Sequence, residues 1–341
     1  MTAFFLERGL VPDFIIRMGI RRLLRQRLRE LETVFGSQPE KALLAYIEKL
    51  KASPLAVNTK EANEQHYEVP TRFFELCLGP RLKYSSCLYE NENSGLPEAE
   101  EAMLNLYCER AGLRDGQQIL ELGCGWGSLS LFMAEKFPGS KITGLSNSHG
   151  QRAHIMRRAG EKGLKNLEII TADINGFSTE KEFDRIVSVE MFEHLRNYEL
   201  LFERIAGWLK DDGRLFVHIF THHKFPYLFE VKDSGDWMSK YFFTGGMMPS
   251  HDLFSRFSTH LVVEKDWKVS GLHYSKTAED WLRNMDGNRG EILKIFNEVY
   301  GAGNEKKWFE YWRVFYMACS ELWKYRNGEE WGVSHYLMRK R

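Results

Sequence analysis

The sequence predicts an α/β fold: a mostly parallel, seven-stranded sheet with helices on both faces, an N-terminal helical region and a helical insertion capping the substrate side. Three observations point there. From residue 115 onward short apolar strands alternate with helical stretches, the pattern of a parallel sheet with crossover helices. A glycine-rich turn, Gly123-Cys-Gly125-Trp-Gly127, follows the first of those strands. Acidic residues then stand where later strands end, the edge at which open α/β sheets bind ligands.

At 341 residues with 43% hydrophobic content the chain can bury a substantial core. Lys+Arg and Asp+Glu both number 47. The cationic excess that phosphate binding requires is therefore missing, and no nucleic-acid partner is expected. The five cysteines (Cys77, Cys87, Cys108, Cys124, Cys319) form no CxxC pair and show no spacing with histidine that suits a metal. No apolar run reaches the length of a membrane span. Glu7 and Arg8 fall where a signal peptide would need apolar residues. A cytoplasmic protein is expected, with a homodimer left open.

The elements follow in order. Residues 12–35 place Ile16, Ile20, Leu24, Leu28 and Leu31 at helical spacing with arginines between. That helix either lies on an anionic membrane or packs its stripe on the main domain with its arginines solvated. Glu30 and Glu32 dilute the basic face and favour packing. A second helix spans 41–53 and stops at Pro54. Strands are predicted at 117–123, 141–146, 167–173, 184–190 and 214–221, with helices at 126–137, 149–162 and 197–210, the last stopped by an Asp212-Gly213 turn. Segments 261–274 and 332–338 read as the strands that finish the sheet, with helices at 277–286, 290–300 and 306–326 between them. Residues 1–114 are thus expected to form a helical region covering a cofactor. Residues 115–341 form the core, with substrate-binding insertions at about 222–258 and 277–326.

The turn at 123–127 is GxGxG rather than the GxGxxG of dinucleotide binders, which makes pyrophosphate docking less natural. Glu121 precedes the glycines, where it can meet the amino group of a methionine moiety. Asp173, after Ala172, ends the third strand, where a carboxylate can accept from the exocyclic amine of adenine; a helix cap is the plainer role for it. Together these features indicate S-adenosylmethionine, with S-adenosylhomocysteine as product, and a Rossmann-like class I methyltransferase. The second strand ends Leu145-Ser-Asn147-Ser without the acidic residue that usually grips ribose, so Asn147 and Gln151 are expected to hold it.

The segments NEQHYEVPTRFFELCLGPRLKYSSCLYE, GCGWG, LSNSHGQ, MFEHL, LHYSKTAEDWL and FYMACSELWKYRNGEEW resemble the cyclopropane-fatty-acid-synthase family of methyltransferases. VPDFIIR, THHKFPYLFEV and DWMSKYFFTGGMMPS are similar to its coclaurine N-methyltransferase branch. The resemblance implies that Tyr84 and Ser85 touch the methionine or ribose end. It also implies that Gly123, Gly125, Gly127, Asn147, Gln151, Ala172, Asp173 and Ile174 line the rest of the cofactor. Lipid-modifying members usually carry Gly where Glu190 stands and a bicarbonate-holding Cys where Ser86 stands, although His218 and Tyr274 match them. Glu190 fits the amine-methylating branch.

Glu190, Glu193 and His194 follow the fourth strand, at a spacing that lets the two acids share a face. An alkylamine needs a free lone pair but is mostly protonated at neutral pH. Two carboxylates can attract the cation and a histidine can take its proton. His194 is accordingly expected to be the general base, Glu193 to bind and orient the amine, and Glu190 to position His194 or the amine. The resemblance to the alkaloid enzymes implies that Glu68 joins them. Tyr67, Tyr241, Phe242, Phe243, Tyr325 and Trp331 are candidates for aromatic walls, although most aromatics simply fill cores. Cys124 reads as a buried small residue. His222 and His223 read as solvated loop residues, so no metal is expected. The leading function is N-methylation of a small, aromatic or alkaloid-like amine. The alternative is methylation or cyclopropanation of phospholipid acyl chains, under which alone the basic helix would contact a membrane. A scaffold without catalysis fits the intact motifs poorly.

Overall fold

A computed structural model describes residues 2–57, 69–230, 237–242 and 245–341. Its seven-stranded sheet comprises β1 (Gln118–Leu122), β2 (Lys141–Ser146), β3 (Leu167–Thr171), β4 (Phe183–Val189), β5 (Leu209–His222), β8 (Leu261–Val269) and β9 (Trp331–Lys340), in the order β3-β2-β1-β4-β5-β9-β8. Strands β1 to β5 pair in parallel, while β9 runs against both β5 and β8. Two-residue strands β6 (Tyr227–Leu228) and β7 (Met247–Met248) form a small separate ladder. Because β2 and β3 extend to one side of β1 and β4 to the other, the carboxyl ends of β1 and β4 diverge. That switch point opens the crevice in which such sheets hold ligands.

Helices α1 (Thr2–Leu6), α2 (Asp13–Phe35), α3 (Pro39–Lys51), α4 (Thr71–Cys77) and α5 (Leu96–Arg110) precede the sheet. Within it lie α6 (Ser128–Lys136), α7 (His149–Glu161), α8 (Tyr198–Trp208) and the single turn α9 (Trp237–Tyr241). Helices α10 (Gly271–Gly287), α11 (Arg289–Tyr300) and α12 (Glu305–Trp323) separate β8 from β9. The N-terminal helices have no core of their own. Leu28, Phe73 and Phe74 join Trp281 and Trp312 in one apolar cluster, and Leu31, Phe35 and Leu50 join Phe192 and Tyr198 in another.

Three local expectations are corrected. Residues 271–274 are not strand: Ser270 accepts the Leu272 N–H and starts α10 there, six residues ahead of the predicted start. Asp212-Gly213 is not a turn between helix and strand. Helix α8 ends at Trp208 and β5 begins at once. Its partner register jumps from Phe183–Leu209 to Arg185–Arg214, and a Cβ on Gly213 would sit 2.9 Å from the Lys210 carbonyl and 3.0 Å from that of Phe183. Such a bulge suits glycine. The arginines of α2 are not all solvated either. Arg17 pairs with Glu279 at 2.6 Å and Arg21 with the buried Glu321 at 2.5 Å, tying α2 to α10 and α12. The segments at 71–77 and 96–110 went unpredicted.

Candidate active site

A cavity of about 1160 Å³ opens above the carboxyl ends of β1 and β4. A pocket for one small ligand holds about 300–1000 Å³, so this one has room for two. Its floor is the glycine turn. Gly123, Gly125 and Gly127 have φ of +78°, +51° and +82°, which side chains resist. A Cβ on Gly123 would lie 2.6 Å from the Met191 side chain, so this glycine also seats the acidic loop against the turn. A Cβ on Gly125 would meet nothing within 4 Å; its backbone faces open space along the cavity wall.

Glu121, Tyr84, Ser85, Gly123, Gly125 and Gln151, six of the residues expected at the cofactor, all line this cavity. Glu121 is buried, accepts a hydrogen bond from the Ser130 hydroxyl, and is pushed up by burial to about 7. Gln151 sits in the first turn of α7, capped by Ser148, and its side-chain oxygen accepts from Ser146 at 2.7 Å. Its Nε2, like Trp126 Nε1 and Ser128 Oγ on the same wall, is buried without a hydrogen-bond partner among the described residues. Gly127, Asn147, Ala172, Asp173 and Ile174 do not line the cavity. Asn147 is exposed beyond β2. Asp173 is exposed beyond β3 and accepts the Asn175 N–H at 2.7 Å, the cap-like role weighed for it.

At the other end, Glu190, Glu193 and His194 converge on the same space. Glu190 closes β4 with φ +47°, a strained conformation for a non-glycine residue. Its Oε1 accepts from the Ser86 N–H and from His218 Nε2, both at 3.0 Å, and its Oε2 from the Tyr274 hydroxyl at 2.5 Å. Burial raises it to about 7 despite those donors and the nearby Lys83. Glu193 and His194 share a short 3₁₀ turn, Phe192–His194, which the N-terminal region pins: Ala56 bridges to Leu195, and the Arg196 N–H donates to the Leu55 carbonyl. The Glu193 carboxylate is 1% exposed, and neither oxygen has a hydrogen-bond partner among the described residues. Burial and then the repulsion of Glu190 push it well above the carboxylate range. Burial drives His194 the opposite way, to about 4.

The aromatic candidates fare differently. Trp331 is fully buried, donating to the Tyr227 hydroxyl, and Tyr325 packs on it. Phe242 and Tyr241 stand behind the wall, Phe242 stacked on Phe315 with ring centres 4.4 Å apart. None of the four lines the cavity. Tyr67, Glu68 and Phe243 lie outside the described residues. The aromatic surface comes instead from Phe220, Tyr227, Phe229, Trp237, Phe315 and Trp323. Tyr227 and Phe229 belong to THHKFPYLFEV, so the segment was legible and the inward-facing residues were not.

His222 and His223 are not both solvated. His222 is fully buried, and with His223 and Glu330 it brings three ligand-type atoms within 4.8 Å of one another. However, His222 Nδ1 accepts the backbone N–H groups of Lys224 and Phe225 at 2.9 and 2.8 Å, which puts its proton on Nε2, facing Glu330 at 3.0 Å. With Nδ1 committed to the backbone and the proton on Nε2, the neutral His222 ring has no lone pair left for a metal, and the charged partner of Glu330 is Arg326 at 2.5 Å. Cys124 is buried, its thiol held well above the usual range by desolvation, and it is unsuited to act as a nucleophile.

Comparison with known proteins gives the family and the fold. Residues 56–329 match the family described as mycolic acid cyclopropane synthetase. The (S)-coclaurine N-methyltransferase of Thalictrum flavum subsp. glaucum is 39% identical over 98% of this chain and 94% of its own. The crystal structure of a coclaurine N-methyltransferase bound to N-methylheliamine and S-adenosylhomocysteine superposes with a TM-score of 0.93 at 37% identity, covering 99% of both chains. A cyclopropane synthase from Mycobacterium tuberculosis shares the fold, with a TM-score of 0.72 at 23% identity over 85% of this chain and 100% of its own.

Proposed function

The chain belongs to the mycolic acid cyclopropane synthetase family and is an S-adenosylmethionine-dependent N-methyltransferase, and from that membership we propose that its acceptor is the nitrogen of a small, aromatic, alkaloid-like amine. The observation that carries the choice of acceptor is Glu193: a buried carboxylate without a hydrogen-bond partner among the described residues, set in the wall of a cavity whose other walls are largely aromatic. A cationic amine supplies the donors that this carboxylate lacks, and an acyl chain does not.

The residues present fit the cofactor. Glu121 is placed for an amino group, Gly125 leaves room for close approach, and Gln151 Nε2, Trp126 Nε1 and Ser128 Oγ offer donors to ribose and adenine. Tyr84 and Ser85 close over the same region. We assign Asn147, Ala172, Asp173 and Ile174 to the adenosine end at the rim. When bound, S-adenosylmethionine supplies an electrophilic methyl group.

The chain's own residues then prepare the amine. Glu190, held by Ser86, His218 and Tyr274, and Glu193 attract the ammonium into the pocket. Burial keeps Glu193 protonated in the empty pocket, so it ionises as the ammonium enters and releases one proton to solvent; because burial disfavours the resulting charged acid and charged ammonium alike, the proton on nitrogen then passes to the Glu193 oxygen and leaves a neutral lone pair. The opposite effects of burial on the two groups support Glu193 as the proton acceptor, with neutral His194 orienting the amine; this reverses the roles expected from sequence. Aromatic walls hold the substrate rings and exclude water. No helix among the described residues is long and apolar enough to cross a membrane. All five cysteines are free thiols, which supports the reading of a cytoplasmic enzyme.

Incubation with methyl-labelled cofactor and, separately, panels of isoquinoline-type amines and phospholipid vesicles tests the proposal. Label is expected on amine nitrogen alone. Label in acyl chains with none on amines overturns it.

A further inference from the structure

Four residues from four parts of the chain form a hydrogen-bonded line through the sheet. Arg110, in the last turn of α5, places Nη1 2.6 Å from His335 Nδ1. His335 on β9 and His218 on β5 are direct cross-strand partners, and His335 Nε2 lies 2.8 Å from His218 Nδ1. His218 Nε2 lies 3.0 Å from Glu190 Oε1. Both histidines are fully buried.

The direction of the line follows from chemistry. A guanidinium has only donors, so His335 Nδ1 must present a lone pair and its proton resides on Nε2. That N–H faces His218 Nδ1, which must accept, and so the His218 proton is on Nε2, aimed at Glu190. A second proton on either ring would set donor against donor. Arg110 has no carboxylate partner within ion-pair distance among the described residues. Its other neighbour is the Trp267 ring, 4.9 Å away.

We infer that Arg110 acts as a positioning residue: through His335 and His218 it fixes an N–H on Glu190 and so keeps that side chain an ionised acceptor facing the amine. This rests on the assignment of Glu190 to amine binding. Because Arg110 cannot give up its proton, the line orients and does not conduct. Without Arg110 the line can reverse: Glu190 takes up a proton and donates to His218, which donates to His335. The other charged or titratable groups around it are Lys83 and Cys87 beside Ser85 and Ser86, Glu109 next to Arg110 and Tyr107 on α5, Tyr274 on α10, Cys319 on α12, and Glu193 and His194 beyond Glu190. Burial, then Lys83 and Arg110, hold His218 well below its ordinary range, and burial, then His218, Arg110 and Lys83, hold His335 there; burial comes first for both and persists without Arg110, so neither ring charges as Glu190 titrates.

The test uses ¹⁵N-histidine-labelled full-length enzyme, in which long-range ¹H–¹⁵N spectra report the tautomer of each ring. His335→Gln and His218→Asn identify the signals. In the parent, both rings are expected as Nε2–H tautomers from pH 6 to 9. In Arg110→Met they are expected to switch to Nδ1–H as pH falls, and amine KM at pH 7 to rise roughly five- to tenfold for a one-unit rise of Glu190, with kcat and S-adenosylhomocysteine affinity held. Arg110→Lys, still a pure donor, is expected to restore both. Tautomers unchanged in Arg110→Met, or Lys failing as completely as Met, overturn the inference. A tautomer switch with amine KM unmoved upholds the line and refutes the assignment of Glu190 to the amine.

Discussion

Removing the Glu193 carboxylate is expected to abolish turnover and make the protein more stable. In the folded chain this acid is 1% exposed with both oxygens unpartnered among the described residues, and burial holds it well above its ordinary value of 4.5. Once unfolded, it ionises normally. Between pH 4.5 and its raised folded value, the native state therefore holds a proton that the unfolded state has lost, so stability falls as pH rises. The slope for one such group cannot exceed about 1.4 kcal/mol per pH unit, so at most about 3 kcal/mol separates pH 5 from pH 7. With an unfolding entropy of about 2.1 cal/mol/K per residue, 341 residues give about 0.7 kcal/mol/K. Each kcal/mol then moves Tm by about 1.4 °C. Glu193→Gln and Glu193→Leu should match the parent near pH 5 and exceed it by up to about 4 °C at pH 7, falling back above the folded pKa no further. Differential scanning calorimetry of the cofactor-free protein across pH reads the stability, and labelled methyl transfer reads the activity. A variant less stable at pH 7 than at pH 5 relative to the parent, or one that retains turnover, refutes the reasoning.

Two other expectations follow from the same site. Gly123→Ala combines φ +78° with a Cβ 2.6 Å from Met191; about 1–3 kcal/mol of stability should be lost, with weakened S-adenosylhomocysteine binding by calorimetric titration, and a second change Met191→Ala should recover only the steric part. Glu190 sits near 7, with the Tyr274 hydroxyl holding it down, so kcat/KM for the amine should fall as pH drops below about 7, and Tyr274→Phe should move that midpoint upward; a profile unmoved by Tyr274→Phe would remove Glu190 from the titration.

Much of the frame was legible because its signals are local. The runs at 117–123, 141–146, 167–173 and 184–190 are short, apolar at their centres and flanked by turn-forming residues, and each matches a strand to within two residues. The glycine turn and the 190–194 cluster were legible for the same reason: chemistry needs those residues at close spacing. The rest depends on the packed chain. Whether Phe242 or Phe229 faces the cavity is set by which way a loop lies over α12, and nothing within the segment encodes it. Residues 271–274 look like strand because Leu272 and Tyr274 alternate with polar neighbours, yet the Ser270 cap makes them helix. His218 and His335 stand 117 residues apart, and only the β5–β9 register reveals that they meet.

That register has a consequence for synthesis. Strand β9 leaves the ribosome after every other strand of the sheet, yet it belongs between β5 and β8. Until it arrives, both neighbours present bare edges, the apolar clusters of the nascent chain stay open on that side, and Glu190 lacks its His218–His335 support. The amine pocket is therefore completed only once β9 inserts, and until then the open edges are the part of the nascent chain that unpaired strands expose to aggregation.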